Sequence, residues 1–330
     1  MPATINAPRS VPIREAVVVL KRGGLVAFPT ETVYGLGADA SNPAAVARIY
    51  RIKGRPAGHP VIVHIGDAKQ LARWAREVPE SAKRLAARFW PGPLTLVLKR
   101  SPCVGDNLTG GEETIGLRIP GHPIALELLR QFGGDDDGHR LIGVAAPSAN
   151  RFGRISPTTA EHVRDDLGKE IDLVLDGGPC EIGIESTIVD LSRQKPVLLR
   201  PGRISTGDIA AVLGVTPEPR DAGAPRAPGT LQAHYAPRQP LRLVAWDDRN
   251  QEMRAKLQGC GVLSFRPPPV GDISAMWIEA FTDPQRYGHD LYANLRALDS
   301  SGCEQILVEE PPTTAEWAAI RDRLARARSA

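Results

Sequence analysis

Apolar residues along this chain fall into two alternating patterns. Short apolar runs bounded by turn residues predict buried strands, and apolar side chains recurring at three and four predict helices. Ser10 reads as an N-cap with Pro12 near the helix start, and Gly23-Gly24 closes that helix. "LVAF" (25–28) follows as a strand, and Asn42-Pro43 caps a helix over "AAVARIYRIK", with Val46, Ile49 and Tyr50 on one stripe. "PVIVHI", "LTLVLKR", "TIGLRIP", "IGVAAPS", "DLVLD", "STIVDL" and "PVLLR" read as further strands. Between them, "HPIALELLRQF", "TTAEHVRDDLG" and "STGDIAAVLG" read as helices. The first 216 residues therefore predict a mixed α/β domain whose strands are short and irregularly spaced. Residues 217–240 hold six prolines and two glycines, a composition that predicts a semi-rigid linker. Beyond it, "LRLVAW", "GVLSF" and "EQILVEE" read as strands, and "PQRYGHDLYANLRALDSSG" and "TAEWAAIRDRLARARS" as helices. Residues 241–330 thus predict a small open α/β domain.

The length of 330 residues suits two domains, and 42% hydrophobic with 24% charged residues is ordinary for a globular protein. A net charge of +3 is too mild to indicate a nucleic-acid binder, yet it suits a protein handling anionic small molecules. The four cysteines are far apart, without ligand spacing, and read as reduced packing residues. No run approaches the roughly 20 apolar residues of a membrane span, and no secretory signal is evident, so a cytoplasmic location with no membrane contact is expected.

The common catalytic signatures are absent: no phosphate-binding G-x-x-x-x-G-K-[ST], no G-x-G-x-x-G, no H-E-x-x-H, no G-x-S-x-G. Five other stretches put polar groups at strand ends. "FPTETVYGLG" (28–37) brings Thr30, Glu31 and Thr32 to a strand tip, either as a turn closing on its own backbone or as a ligand contact. "RIYRIKGRP" (48–56) ends in Lys53 and Arg55, which could clamp an anion or complement a helix dipole. In "ETIGLRIPGHP", Thr114 and Arg118 share one strand face, and Arg118 needs an anionic partner, from ligand or protein. "AAPSAN" offers Ser148 and Asn150, and "ESTIVDL…VLLRPG" offers Ser186 and Arg200. Together they describe a cleft of hydroxyls and cations with no candidate nucleophile. That chemistry suits nucleotide phosphates and a carboxylate more than covalent catalysis.

In this order, "PTETVYGLG", "KGRP…VIVHI", "TIGLRIPGHP", "APSAN", "STIVDL" and "LRPG" resemble the YrdC-like family, over about residues 15–215. The "APGTLQAHYAP" linker and the tail resemble its two-domain, threonylcarbamoyladenylate-forming members. The resemblance implies a YrdC-like mixed twisted sheet with helices, joined by a Pro-rich linker to a small Rossmann-like α/β domain. It implies a nucleotidyl transfer that makes threonylcarbamoyl-AMP and pyrophosphate from L-threonine, bicarbonate and ATP, with Mg²⁺ carried on the nucleotide. A downstream threonylcarbamoyl transferase system, with possible tRNA contact, would then modify the adenosine beside the anticodon. By the same resemblance, Lys53 and Arg55 are the catalytic cations, and Thr32, His64, Arg118 and the Ala146 backbone bind threonine. Arg55, His59, Thr114, Ser148, Asn150, Ser186, Arg200 and Tyr235 would bind ATP. Two departures stand out: His59 replaces a frequent Asn, and the linker opens "APG" where "SPG" is commoner. The alternatives are a non-catalytic RNA-binding protein using the arginine-rich segment from Arg48 to Arg55, and an enzyme using carbamoyl phosphate.

Overall fold

The computed structural model describes residues 13–134, 140–230, 233–246, 257–269, 271 and 275–328; the cap expected at Ser10 and Pro12 lies outside them. Ten strands form one mixed sheet. They are β1 (Val26–Phe28), β2 (Gly35–Asp39), β3 (Ile62–His64), β4 (Leu94–Lys99), β5 (Thr114–Arg118), β6 (Val144–Ala145), β7 (Leu173–Val174), β8 (Thr187–Asp190), β9 (Val197–Arg200) and β10 (Glu218–Pro219). Their spatial order is β10-β9-β8-β4-β5-β3-β6-β2-β1-β7. Parallel pairs (β3–β5, β4–β8) alternate with antiparallel ones (β4–β5, β2–β6), which excludes a simple doubly wound sheet. Four more strands, β11 (Leu241–Val244), β12 (Cys260–Ser264), β13 (Met276–Glu279) and β14 (Gln305–Glu309), form a second, parallel sheet in the order β11-β14-β12-β13.

The local chemistry explains the elements. The Asn42 side chain accepts from the Ala44 and Ala45 amides to start the helix Pro43–Lys53, and Gly54, at φ 64°, ends it. Ser205 and Asp208 form a capping box on the helix Thr206–Leu213. Besides short elements such as the helices Leu71–Trp74 and Asp106–Thr109 and the strand β10, three larger ones escape the sequence pattern. β2 is a glycine strand, and a Cβ on Gly37 would lie 2.8 Å from both Phe28 Cε1 and Val144 Cγ1. The helix Glu80–Phe89 buries only Ala82, Leu85 and Ala86, too sparse a stripe to stand out. β13 is an edge strand with no fully buried residue.

The helices Ile13–Lys21 and Pro123–Gly133 share one apolar cluster with Phe28 and Val144 of the large sheet. Another cluster crosses between the sheets: Val33, Ile155 and Ile184 pack with Tyr235 of the linker and with Tyr287, Leu291 and Tyr292 of the helix Pro284–Ser300. At this seam Gly183 (φ 80°) is so close to that helix that a Cβ would lie 2.2 Å from the His289 carbonyl oxygen. The four cysteines are free, with Cys103 exposed and the others buried. Among the described residues no helix is long and apolar enough to cross a membrane.

Candidate active site

Strand ends from β1, β3, β5, β8 and β9 converge on one pocket, and residues of the linker roof it. At the β1 tip, Thr30 Oγ1 donates to the Val33 carbonyl at 2.6 Å and accepts from the Thr32 and Val33 amides. Thr30 therefore closes the turn on itself, which frees Thr32 to face the cavity. Thr32 Oγ1 accepts from Arg118 Nη1 at 2.9 Å. Arg118 also donates through Nε to the Gly92 carbonyl and lies 2.7 Å from Glu31 Oε1. Both ions are almost wholly buried, so the anionic partner that Arg118 requires comes from the strand tip itself. The contact is ionic rather than a well-aimed hydrogen bond, since Arg118 Nη2 and both Glu31 oxygens lack hydrogen-bond partners. His64 is paired in register with Arg118 on the adjacent strand. Burial, then the Arg118 charge, lower its pKa well below the usual value, and its Nδ1 has no partner.

The other half of the pocket is cationic. Arg200 donates through Nε to the Ser186 carbonyl at 3.0 Å, through Nη2 to Ser186 Oγ at 3.1 Å and through Nη1 to the linker's Pro228 carbonyl at 3.0 Å. Burial pulls its pKa down. Arg55 is also buried, and burial lowers its pKa to about 10; Nη2 donates to the Pro60 carbonyl while Nε has no partner. Its guanidinium carbon sits 5.5 Å from the centre of the Phe152 ring. Beside Ser186, the Glu185 carboxylate accepts from Ser156 Oγ at 2.5 Å, Tyr292 Oη at 2.9 Å and Arg323 Nε at 2.7 Å. Burial would raise its pKa, but Arg323 and Arg200 hold it down to about 2. Above these groups lie His234 and Tyr235, rings 4.2 Å apart, with Tyr235 in the left-handed region at φ 63°. The Tyr235 hydroxyl has no partner and presses on Gly229, where a Cβ would lie 2.1 Å away.

Of the residues singled out in the sequence, the pocket gathers Thr32, Arg55, His64, Arg118, Ala146, Ser148, Ser186, Arg200 and Tyr235. Lys53, His59, Thr114 and Asn150 are not in its lining. The Lys53 ammonium is buried and donates to the carbonyls of Ser148 (2.7 Å) and Asn150, so it props the 148–150 turn from behind. Asn150 Nδ2 donates to the Arg151 and Arg154 carbonyls. The His59 ring lies 5.5 Å from Phe152 at the margin. Thr114 occupies the far end of β5, opposite Lys99. Sequence reasoning missed Glu185, His234, Phe152, Arg323 and Tyr292. The first two stand next to quoted residues, whereas the last two come from a distant helix pair that no local motif connects to the site.

The mixed sheet that carries this strand-end pocket, and the second domain behind it, are a fold shared with known proteins. The chain belongs to the Sua5/YciO/YrdC family, whose model, described as "Telomere recombination", matches residues 18–202. A second model, "Threonylcarbamoyl-AMP synthase, C-terminal domain", matches residues 204–329. The threonylcarbamoyl-AMP synthase of Bacillus subtilis is 41% identical over 96% of this chain and 92% of its own length. The crystal structure of P. abyssi Sua5 complexed with L-threonine superposes with a TM-score of 0.85 at 38% identity, covering 96% of this chain and 94% of that one. The structure of H234A/Y235A P. abyssi Sua5 gives 0.87 at 36% identity, covering 99% of this chain and 96% of that one.

Proposed function

We propose that this chain is a nucleotidyltransferase that makes threonylcarbamoyl-AMP from L-threonine, bicarbonate and ATP. The observation that carries this reading is the pairing, in one buried pocket, of a Thr32–Arg118–His64 corner with the cations Arg55 and Arg200. Arg118, already on the Thr32 hydroxyl, suits the threonine carboxylate in a bidentate contact. The neutral His64, with Nδ1 unpartnered, suits the substrate's amine or hydroxyl as an acceptor. The neutral threonine amine attacks the carbon of bicarbonate, with loss of water, or of CO2, with release of a proton, giving an N-carboxylate. A carboxylate oxygen then attacks the α-phosphorus of ATP, and pyrophosphate leaves. No protein nucleophile is required; the work is positioning and stabilisation of charge at phosphorus by Arg55 and Arg200, with Ser148 and Ser186 on phosphate oxygens. Lys53 contributes by fixing the Ser148 turn.

Mg²⁺ would supply charge neutralisation on the phosphates. Glu185, the acid lining the pocket, is already engaged by Arg323, Tyr292 and Ser156. The ion would therefore ride on phosphate oxygens and water. The product would pass in the cytoplasm to a transferase system acting on tRNA. The RNA-binding alternative loses its main support, because Arg48 is held by Asp172 and the Gly23 carbonyl while Lys53 and Arg55 are buried. L-threonine binding tests the assignment. Titration calorimetry on Arg118→Gln should show affinity reduced by roughly tenfold or more, the scale of a lost charge-assisted bidentate contact. Unchanged affinity in the folded variant would remove Arg118 from the threonine corner.

A further inference from the structure

The linker that roofs the pocket also fills it. With Tyr235 and His234 in place, about 50 Å³ of free space remains, whereas ligand pockets run to roughly 300 Å³ or more. A nucleotide enters only after these rings leave. What holds them is therefore as much a part of substrate binding as the residues that touch substrate.

Several contacts fix the linker. Arg226 donates to the Gly58 and Gly110 carbonyls on one side of the pocket, and Arg154 donates to the Pro237 carbonyl on the other. Those anchors flank the crossing. Over Tyr235 itself the holding groups come from the second sheet's helices. The Arg323 guanidinium carbon, on the helix Ala318–Arg328, lies 5.3 Å from the centre of the Tyr235 ring. The Tyr292 ring, on the helix Pro284–Ser300, lies 5.7 Å from it. Arg323 is 1% exposed and Tyr292 fully buried. Neither could be so deep without an acceptor, and both use Glu185 of the large-sheet domain, which continues directly into the pocket's Ser186. The arrangement compensates a strained residue: Tyr235 is the non-glycine residue at positive φ among those described, a conformation that persists only where its surroundings over-determine it.

We propose that Arg323 is a positioning residue that latches Tyr235 into the nucleotide pocket and so sets how often the pocket opens to ATP. The proposal rests on the reading of this pocket as an ATP site. Its consequence follows from population arithmetic. When only a fraction of molecules is open, the apparent nucleotide dissociation constant is the intrinsic one divided by that fraction. Weakening the latch raises the open fraction, so ATP binds more readily, while reclosure over the bound intermediate suffers. A residue needed only for folding would not lower the KM for ATP.

The test compares the full-length protein with Arg323→Gln and Arg323→Lys. The lysine variant keeps the charge beside Glu185 and loses the planar face over Tyr235, so it reports on the latch even where Arg323→Gln does not fold. Without nucleotide, tryptic cleavage after the linker arginines Arg220, Arg226 and Arg238 tracks the open population. Cleavage should be about threefold faster or more in the variants, with KM for ATP lowered by a similar factor and kcat reduced. A folded variant cut at the wild-type rate overturns the latch. Faster cutting with KM for ATP unchanged or raised overturns the link to nucleotide entry. Absence of threonine-dependent pyrophosphate release from the unaltered protein would defeat the functional reading instead, and the cleavage comparison would still decide the latch.

Discussion

Arg55 shows how this site stores its binding energy. The side chain is buried, donates one hydrogen bond to the Pro60 carbonyl and leaves Nε without a partner. An under-bonded buried cation is unfavourable in the free protein, which is why burial lowers its pKa to about 10. On the proposed reading, an incoming phosphate would satisfy it. Arg55→Ala should therefore cut pyrophosphate release by roughly 100-fold or more, the scale of losing one preorganised charge-stabilising group. The melting temperature should hold steady or rise. Kinetics and thermal unfolding on the same preparation check both halves; a large loss of stability with near-normal turnover would recast Arg55 as structural. Arg118 differs, because Glu31 already neutralises its charge and Thr32 accepts one of its hydrogen bonds, while Nη2 keeps no hydrogen-bond partner. The sequence could announce that Arg118 needs an anion. It could not say that a strand tip four sheet positions away would supply one.

At the scale of elements, the linker's state should depend on pH. In the closed form burial, opposed by Glu185 and reinforced by Lys53, Arg55 and Arg200, holds the His234 pKa down to about 3. Once open to solvent, the imidazole returns to roughly 6.5. Between those values the open form binds a proton that the closed form refuses. Closure is therefore fully favoured above about pH 6.5 and weakens as pH falls, by up to about tenfold per pH unit. Glu185, held at about 2, stays ionised throughout that window and does not reverse the sign. Hydrogen exchange of the amides at 233–236, corrected for intrinsic rates, should show less protection at pH 5.5 than at pH 7.5; equal protection would mean that His234 does not report on closure. Elements were legible where periodicity was strong, as in the Asn42-capped helix and β3–β5. They were not where glycine carried the strand, as in β2. Thr114 marks a further limit: same-face residues four apart in a strand stand roughly 13 Å from one another, so facing one way with Arg118 did not bring it to the pocket.

For the whole molecule, the seam between the two sheets matters more than either sheet alone. Tyr235 packs in a cluster with Val33 and Ile184 of the first sheet's loops and Leu291 and Ile320 of the second sheet's helices. Arg296 adds a partly buried ion pair to Asp166 at 2.6 Å. The second sheet thus forms part of the pocket's closing apparatus. This was the least legible layer, because Arg323 lies 138 positions from Glu185 and in no recognisable pattern, although Glu185 itself opens the "ESTIVDL" stretch. What the ordered strand-end motifs did convey was the chemistry: hydroxyls and cations without a nucleophile. The central claim meets its most direct test in a single reaction mixture of purified protein, ATP, Mg²⁺, bicarbonate and L-threonine, with pyrophosphate measured and the adenylate weighed by mass spectrometry. Pyrophosphate that appears only when both threonine and bicarbonate are present, together with the mass of threonylcarbamoyl-AMP, is the predicted result; folded protein that yields neither would contradict the account.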